Sequence, residues 1–157
     1  MAARRKKLSI IASRGTLDMA YPPLILASTA AALDYETEIF FTSYGIELIK
    51  KTPRLTVTTL GNPGMPMPIP LPVFLQTLPG MQSIMTMMVQ QKMKSKGIVD
   101  FDQLRRICLE SGVKFIACEM TRDLFDIDSS DLLDGVSMGG VGSYLEFAGK
   151  AHISLFI

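Results

Sequence analysis

DFDQLRRICLESGVKFIAC, residues 100–118, is the stretch that decides the fold. Its first part, 100–111, reads as a helix carrying Leu104, Ile107, Cys108 and Leu109. Gly112 takes the place where glycine commonly ends a helix. Residues 113–117, Val-Lys-Phe-Ile-Ala, then read as a short buried strand. A helix feeding directly into a strand is half of the unit from which parallel sheets are built.

The same alternation continues on both sides. Upstream, residues 8–12 (LSIIA) read as a strand closed by the turn Ser13-Arg14-Gly15. Pro22 and Pro23 suit the first turn of a helix that reaches Leu33. Residues 38–42 read as a second strand, 45–51 as a short helix and 55–60 as a short strand. A proline-rich loop covers 63–72, and a helix over 79–96 is stopped by Gly97. Downstream, Ser130 or Asp131 starts a helical turn. Gly139-Gly140-Val141-Gly142 leads into a helix over 143–150, and 153–157 is the last strand. The pattern predicts a single α/β domain over 1–157. Its sheet is mainly parallel with helices on both faces, layered as in Rossmann and flavodoxin-like folds. In such sheets chemistry gathers at the carboxyl ends of the strands.

Composition narrows the function. A chain of 157 residues can bury a full core without disulfides or metals. With 48% apolar and 20% charged residues it is not a disordered chain. The net charge of +1 lacks the basic excess of a general nucleic-acid binder. The mean hydropathy of +0.28 calls for either a membrane or an oligomer that hides apolar surface. The uncharged run 55–91 is long enough to cross a bilayer. However, Pro63, Pro66, Pro68, Pro70, Pro72 and Pro79 would leave helix carbonyls unpaired in lipid. A homo-oligomer burying part of this run is the better reading, and peripheral membrane contact is the weaker one. Arg4, Arg5, Lys6 and Lys7 precede only five mostly apolar residues, too few for an export signal. The expected address is therefore the cytoplasm, where two cysteines are expected as free thiols.

Cys118 directly follows the 113–117 strand and so falls at the carboxyl edge of the sheet. A thiol there can meet backbone N–H groups, which favour thiolate. Arg122 adds a positive neighbour, while Glu119 and Asp123 oppose it. The residue reads equally as a reactive thiol or as a small buried apolar side chain. Cys108 reads as core packing. The two should not pair. They are expected at opposite edges of the sheet, and five strand residues span roughly 16 Å, against a disulfide limit of roughly 7 Å between Cα atoms. The sole histidine, His152, and two separated cysteines make no zinc pattern. Ser13-Arg14-Gly15-Thr16 and Gly139-Gly140-Val141-Gly142 offer turns of the kind that bind phosphate. Neither has Walker or dinucleotide spacing, and tight packing explains their glycines as well. Met81, Met85, Met88 and Met93, with Ile84 and Met87 beside them, read as an oligomer interface or a partner-facing flap.

The run KFIACEMTRDLFDI, residues 114–127, resembles the DsrE-type (DsrE/DsrF-like) sulfur-carrier family, in the branch associated with TusA-like carriers. That pattern is a strand, then Cys-x-Met-Ser/Thr, then Asp and an apolar turn, matched here by Cys118, Met120, Thr121, Asp123 and Ile127. Asp126 stands where many relatives have glycine, and Ser43-Tyr44 replaces a more usual pair of larger aromatics. ASRGTLDMAYPPLILA, FFTSYGIELIKK, the Pro/Met-rich centre and LLDGVSMGGVGSYLEFAGKAHISLFI extend the likeness over nearly the whole chain. The resemblance implies a cytoplasmic, homo-oligomeric sulfur carrier or sulfurtransferase rather than a turnover enzyme. It needs no cofactor or metal, and Cys118 holds persulfide or thiosulfonate sulfur. It implies exchange with a TusA-like protein and loading from a donor such as thiosulfate, tetrathionate or polysulfide. Thr121, Arg122 and Arg14 are the residues expected to meet the bound group. A nucleotide- or flavin-binding module and a non-catalytic interaction protein are the other readings.

Overall fold

The computed structural model describes residues 5–58 and 80–157. Its first strand, β1 (Lys7–Ala12), leads into α1 (Leu17–Ala32), and β2 (Glu36–Phe41) into a 3-10 helix, Ser43–Ile49. After residue 80 come α2 (Met81–Ser95) and α3 (Phe101–Glu110). Then β3 (Lys114–Cys118) runs straight into α4 (Glu119–Leu124). A 3-10 turn at Ser129–Asp131 precedes β4 (Val136–Gly139), α5 (Val141–Ala148) and β5 (Ile153–Phe156). The five strands form one sheet in the order β4-β3-β2-β1-β5, and every neighbouring pair is parallel.

Strand side chains alternate between faces, and here the two faces differ. Leu8, Ile10 and Ala12 of β1, Ile39 and Phe41 of β2, and Phe115 and Ala117 of β3 point one way. They meet Ala20, Leu24 and Ala27 of α1 and Leu104 and Cys108 of α3 in the main core. The intervening residues Phe40 and Cys118, with Ile11 and Ile116, point the other way and meet Tyr144 and Ala148 of α5. The expected helices on both faces are present, heavily on one and lightly on the other. Cys108 and Cys118 are both free and lie on opposite faces, a stronger separation than the strand length alone.

Several boundaries differ from the sequence reading. The first helix starts at Leu17, so Pro22 and Pro23 lie inside it rather than at its opening. Leu17 is buried with Val57 and Met85, and its N–H donates to the Thr56 carbonyl at 2.9 Å. That anchoring starts the helix ahead of the prolines, at the expense of the helix bonds their missing N–H groups would have made. Residues 55–58 form no strand, and 59–60 lie outside the described residues. Instead, side chains of α2 hold this segment: Val57 donates to the Thr86 hydroxyl at 3.1 Å, and Gln82 donates to the Val57 carbonyl at 3.1 Å. The proline loop of 63–72 also lies outside the described residues. In α2, Met85 is buried while Ile84, Met87 and Met88 are exposed. No helix among the described residues is long and apolar enough to cross a membrane.

Candidate functional site

Parallel register places the carboxyl ends of β1, β2, β3 and β4 side by side, with Phe41 beside Ala12 and Ala117, and Cys118 beside Gly139. Cys118 is both the last residue of β3 and the N-cap of α4. The turn expected over 118–123 is therefore a short helix, and its pitch returns Thr121 beneath the cysteine while Met120 points outward. Thr121 is 3% exposed and Met120 67%.

Two glycines bring the neighbouring loops close enough to build this corner. A Cβ on Gly15 would lie 2.3 Å from the Tyr44 carbonyl oxygen, and one on Gly45 would lie 2.0 Å from the Ala12 carbonyl oxygen. Neither position accepts any other residue without moving backbone. The loop after β2 then carries Thr42 and Ser43 to Thr121. The two threonine hydroxyls are 3.2 Å apart, and the Ser43 N–H donates to Thr121 Oγ1 at 3.0 Å. Ser43 adopts a φ of +50° to do so.

Burial among Phe40, Tyr144, Ile116 and Ile11 pushes the Cys118 thiol up. The Thr121 hydroxyl and N–H, the Thr42 hydroxyl and the Met120 N–H stand as donors around the sulfur and outweigh it, and the thiol ends below its ordinary value. The proton count favours this. The Ser43 N–H occupies an acceptor position on Thr121 Oγ1, so the Thr121 proton is available for the sulfur or for Thr42. The sulfur itself is closed in; the residue is 1% exposed. Its cover includes Tyr144, which packs on Phe40 at 4.9 Å between ring centroids and accepts a hydrogen bond from Ser9 at 3.0 Å. Gly139, beside Cys118, adds no side chain, and a Cβ there would lie 2.6 Å from Ile116 Cγ2.

Cys108 shows the opposite environment. It is fully buried, its Sγ donates to the Leu24 carbonyl at 3.3 Å, and burial pushes its thiol up to about 11.

The other expected site residues fall around the same edge with different tasks. Arg122 gives both Nε and Nη2 to Asp123 Oδ1, at 2.9 and 2.6 Å. Arg14 is exposed on the turn after β1, beyond Tyr44. That turn is engaged within the fold. The Ser13 N–H and hydroxyl both donate to the Ile157 carbonyl, at 2.7 and 3.0 Å. His152 accepts from the Lys7 N–H at 3.1 Å on the Nδ1 side, beside the amino end of β1. Asp126 takes a φ of +48°, so it holds the left-handed turn that glycine would hold more easily. Thr42 and Ser43 were not among the site residues expected from the sequence. They lie far from Cys118 in the chain, and only the β2–β3 pairing joins them.

A family model described as the DsrE/DsrF/DrsH-like family matches residues 4–156. The chain belongs to that family. Over 157 residues it is 56% identical to "Sulfur carrier protein DsrE2" of Allochromatium vinosum, covering 98% of this chain and 99% of that one. The uncharacterized protein YrkE of Bacillus subtilis is 31% identical over 160 residues and is matched end to end. The crystal structure of the ychN protein from E. coli superposes with a TM-score of 0.60 at 13% identity, covering 98% of this chain and 100% of that one. That last likeness concerns the fold. Within the DsrE/DsrF/DrsH-like frame, Cys118 is the cysteine of the quoted Cys-x-Met-Thr run.

Proposed function

We propose that this protein is a cytoplasmic sulfur carrier in which Cys118 is the nucleophile and the covalent holder of the cargo. The observation that carries the reading is a thiol at the carboxyl end of a parallel strand, at the start of a helix, in a corner where Thr42 and Thr121 meet. The likeness to a named sulfur carrier across the full chain supports the same reading. In the proposed chemistry, the Cys118 thiolate attacks an outer sulfur of a polysulfide. It leaves a persulfide on the protein and a polysulfide one sulfur shorter. With tetrathionate, the thiolate attacks a central sulfur and displaces thiosulfate, leaving a thiosulfonate. Delivery is the same exchange in reverse sense: the thiolate of a TusA-like carrier attacks the sulfur bonded to Cys118, that sulfur–sulfur bond breaks, and Cys118 leaves as thiolate.

Thr121 and the Met120 N–H act on the sulfur in either form. An anionic adduct would have to compete with Asp123 for Arg122, so a role for Arg122 or Arg14 belongs to the larger, charged cargo. The exposed apolar residues Val141, Leu145 and Phe156 support a homo-oligomer.

Intact-mass measurement tests the reading. Wild type incubated with polysulfide, thiosulfate or tetrathionate should gain one adduct from at least one donor, removable by reductant. Cys108→Ser should gain the same adduct and Cys118→Ser none. An adduct of equal size on Cys118→Ser, or none on wild type with any donor, overturns it.

A further inference from the structure

The segment that follows Cys118 presents an unusual surface. Met120 and Leu124 lie one helical turn apart on α4 and are 67% and 72% exposed. Beside them Tyr44 and Phe125 stack at 5.7 Å between centroids, and both are exposed. Around this apolar stripe stand four exposed carboxylates, Glu119, Asp123, Asp126 and Asp128. The basic residue within 119–128 is Arg122, and Asp123 already holds it. Arg14 is the cation on the adjoining turn. A chain of net charge +1 thus places a negative, apolar-centred patch on the helix that starts at its candidate thiol.

We infer that this patch is the docking surface for a partner protein whose own thiol sits in a basic surface with apolar side chains beside it. The inference rests on the carrier reading above. Charge decides the occupant. A second copy docking through the same patch would set four carboxylates against four, which repels. A nucleic acid or an anionic lipid surface is repelled for the same reason. A basic partner is attracted from a distance, and the Met120–Leu124 stripe then gives it something to bury. On docking, the partner thiolate attacks the outer sulfur of the Cys118 persulfide. The sulfur–sulfur bond breaks, Cys118 leaves as thiolate, and the partner holds the persulfide, with no external oxidant or reductant consumed.

The test uses two labelled peptides, each with one cysteine between leucines, one flanked by lysines and the other by glutamates. Wild type is loaded from polysulfide, and transfer to each peptide is measured. Each rate is divided by that peptide's rate with a small persulfide in solution. The lysine peptide should be favoured about tenfold at low salt, and the preference should shrink as salt screens the charges. Glu119→Gln with Asp126→Asn should cut the preference by about threefold, while loading from polysulfide, itself an anion, does not fall. Met120→Ser with Leu124→Ser should slow both peptides together. Equal normalised rates for the two peptides, or a preference untouched by the neutralised pair, overturns the inference. So does light scattering in which the Met120→Ser, Leu124→Ser protein loses a subunit contact that wild type has. If wild type takes no sulfur at all, the carrier reading is what has failed. Binding of the same peptides, with serine in place of cysteine, to unloaded protein then decides the docking inference by itself. A tighter lysine peptide supports it, and equal binding overturns it.

Discussion

A thiol closed off from water ordinarily holds its proton, because the thiolate loses its hydration. Cys118 departs from that because donors at one corner of the fold converge on it: the threonine hydroxyls of Thr42 and Thr121, and two backbone N–H groups. Hydrogen bonds to a charged acceptor are worth about 1.5–3 kcal/mol each. Thr121→Val keeps the shape, removes the hydroxyl and leaves the backbone donors. The rate of Cys118 alkylation by iodoacetamide should then rise at higher pH than in wild type, and at neutral pH it should be about tenfold or more slower. An unchanged pH profile would reduce Thr121 to a packing role. The position of Cys118 was legible, because an apolar strand followed by a turn puts its next residue at the sheet edge. Its chemistry was not. Glu119, Arg122 and Asp123 are the charges adjacent in sequence, yet Arg122 is spent on Asp123, and the groups that act on the sulfur are neutral.

At the scale of elements, the site depends on the 3-10 helix Ser43–Ile49, which carries Ser43 at one end and is clamped at the other by Arg105 of α3. Arg105 is 4% exposed. It donates to the carbonyls of Leu48 and Lys50, at 3.1 and 2.6 Å, pairs with Asp102 and lies 4.8 Å over the Phe101 ring. Sequence periodicity placed Arg105 on a helix but gave no reason for a buried guanidinium, since its partners are carbonyls from a distant loop. Arg105→Met should lower stability by about 2–4 kcal/mol, because the carbonyls it caps lose a charged donor. Arg105→Lys should recover part of the loss, and urea unfolding reads both. A loss below about 0.5 kcal/mol would mean that solvent replaces the clamp. The elements that were legible are those whose pattern is strong: 8–12, 113–117 and the helix between 100 and 111. The Val136–Gly139 strand was missed because a serine and a glycine in four residues carry no strand signal, and the β3 ladder alone makes it one. The start of α1 was displaced because prolines usually mark a first turn, whereas tertiary burial of Leu17 set the boundary here.

Over the whole molecule, the titrating groups oppose one another on the acid side and act together on the alkaline side. Glu36 is lowered, first by its hydrogen bond from Lys7, whereas its neighbour Glu38 is raised by burial. As pH falls, the first removes stability and the second returns some. Two acids that begin protonated, the buried Cys108 thiol and the half-buried Tyr21 phenol, shape the alkaline side. Burial raises the Cys108 thiol from 9.0 to about 11, and burial with Asp100 and Asp102 raises the Tyr21 phenol. A raised folded-state pKa means that the folded protein binds the proton more tightly than the unfolded chain. Its contribution is therefore complete below the unfolded value and is lost as pH rises toward the folded one. Cys118 has the opposite sign, but its shift lies below 9.0, so its contribution is already in place before the loss begins. Between pH 9.0 and about 11 the Cys108 thiol alone should remove about 2–3 kcal/mol. Urea unfolding at about pH 8 and about pH 10.5 reads this window. Wild type should lose stability steeply. Cys108→Ala, whose packing loss is the same at both pH values, should lose distinctly less between them. Equal losses in the two proteins would mean that Cys108 is no more buried against ionisation in the folded chain than in the unfolded one.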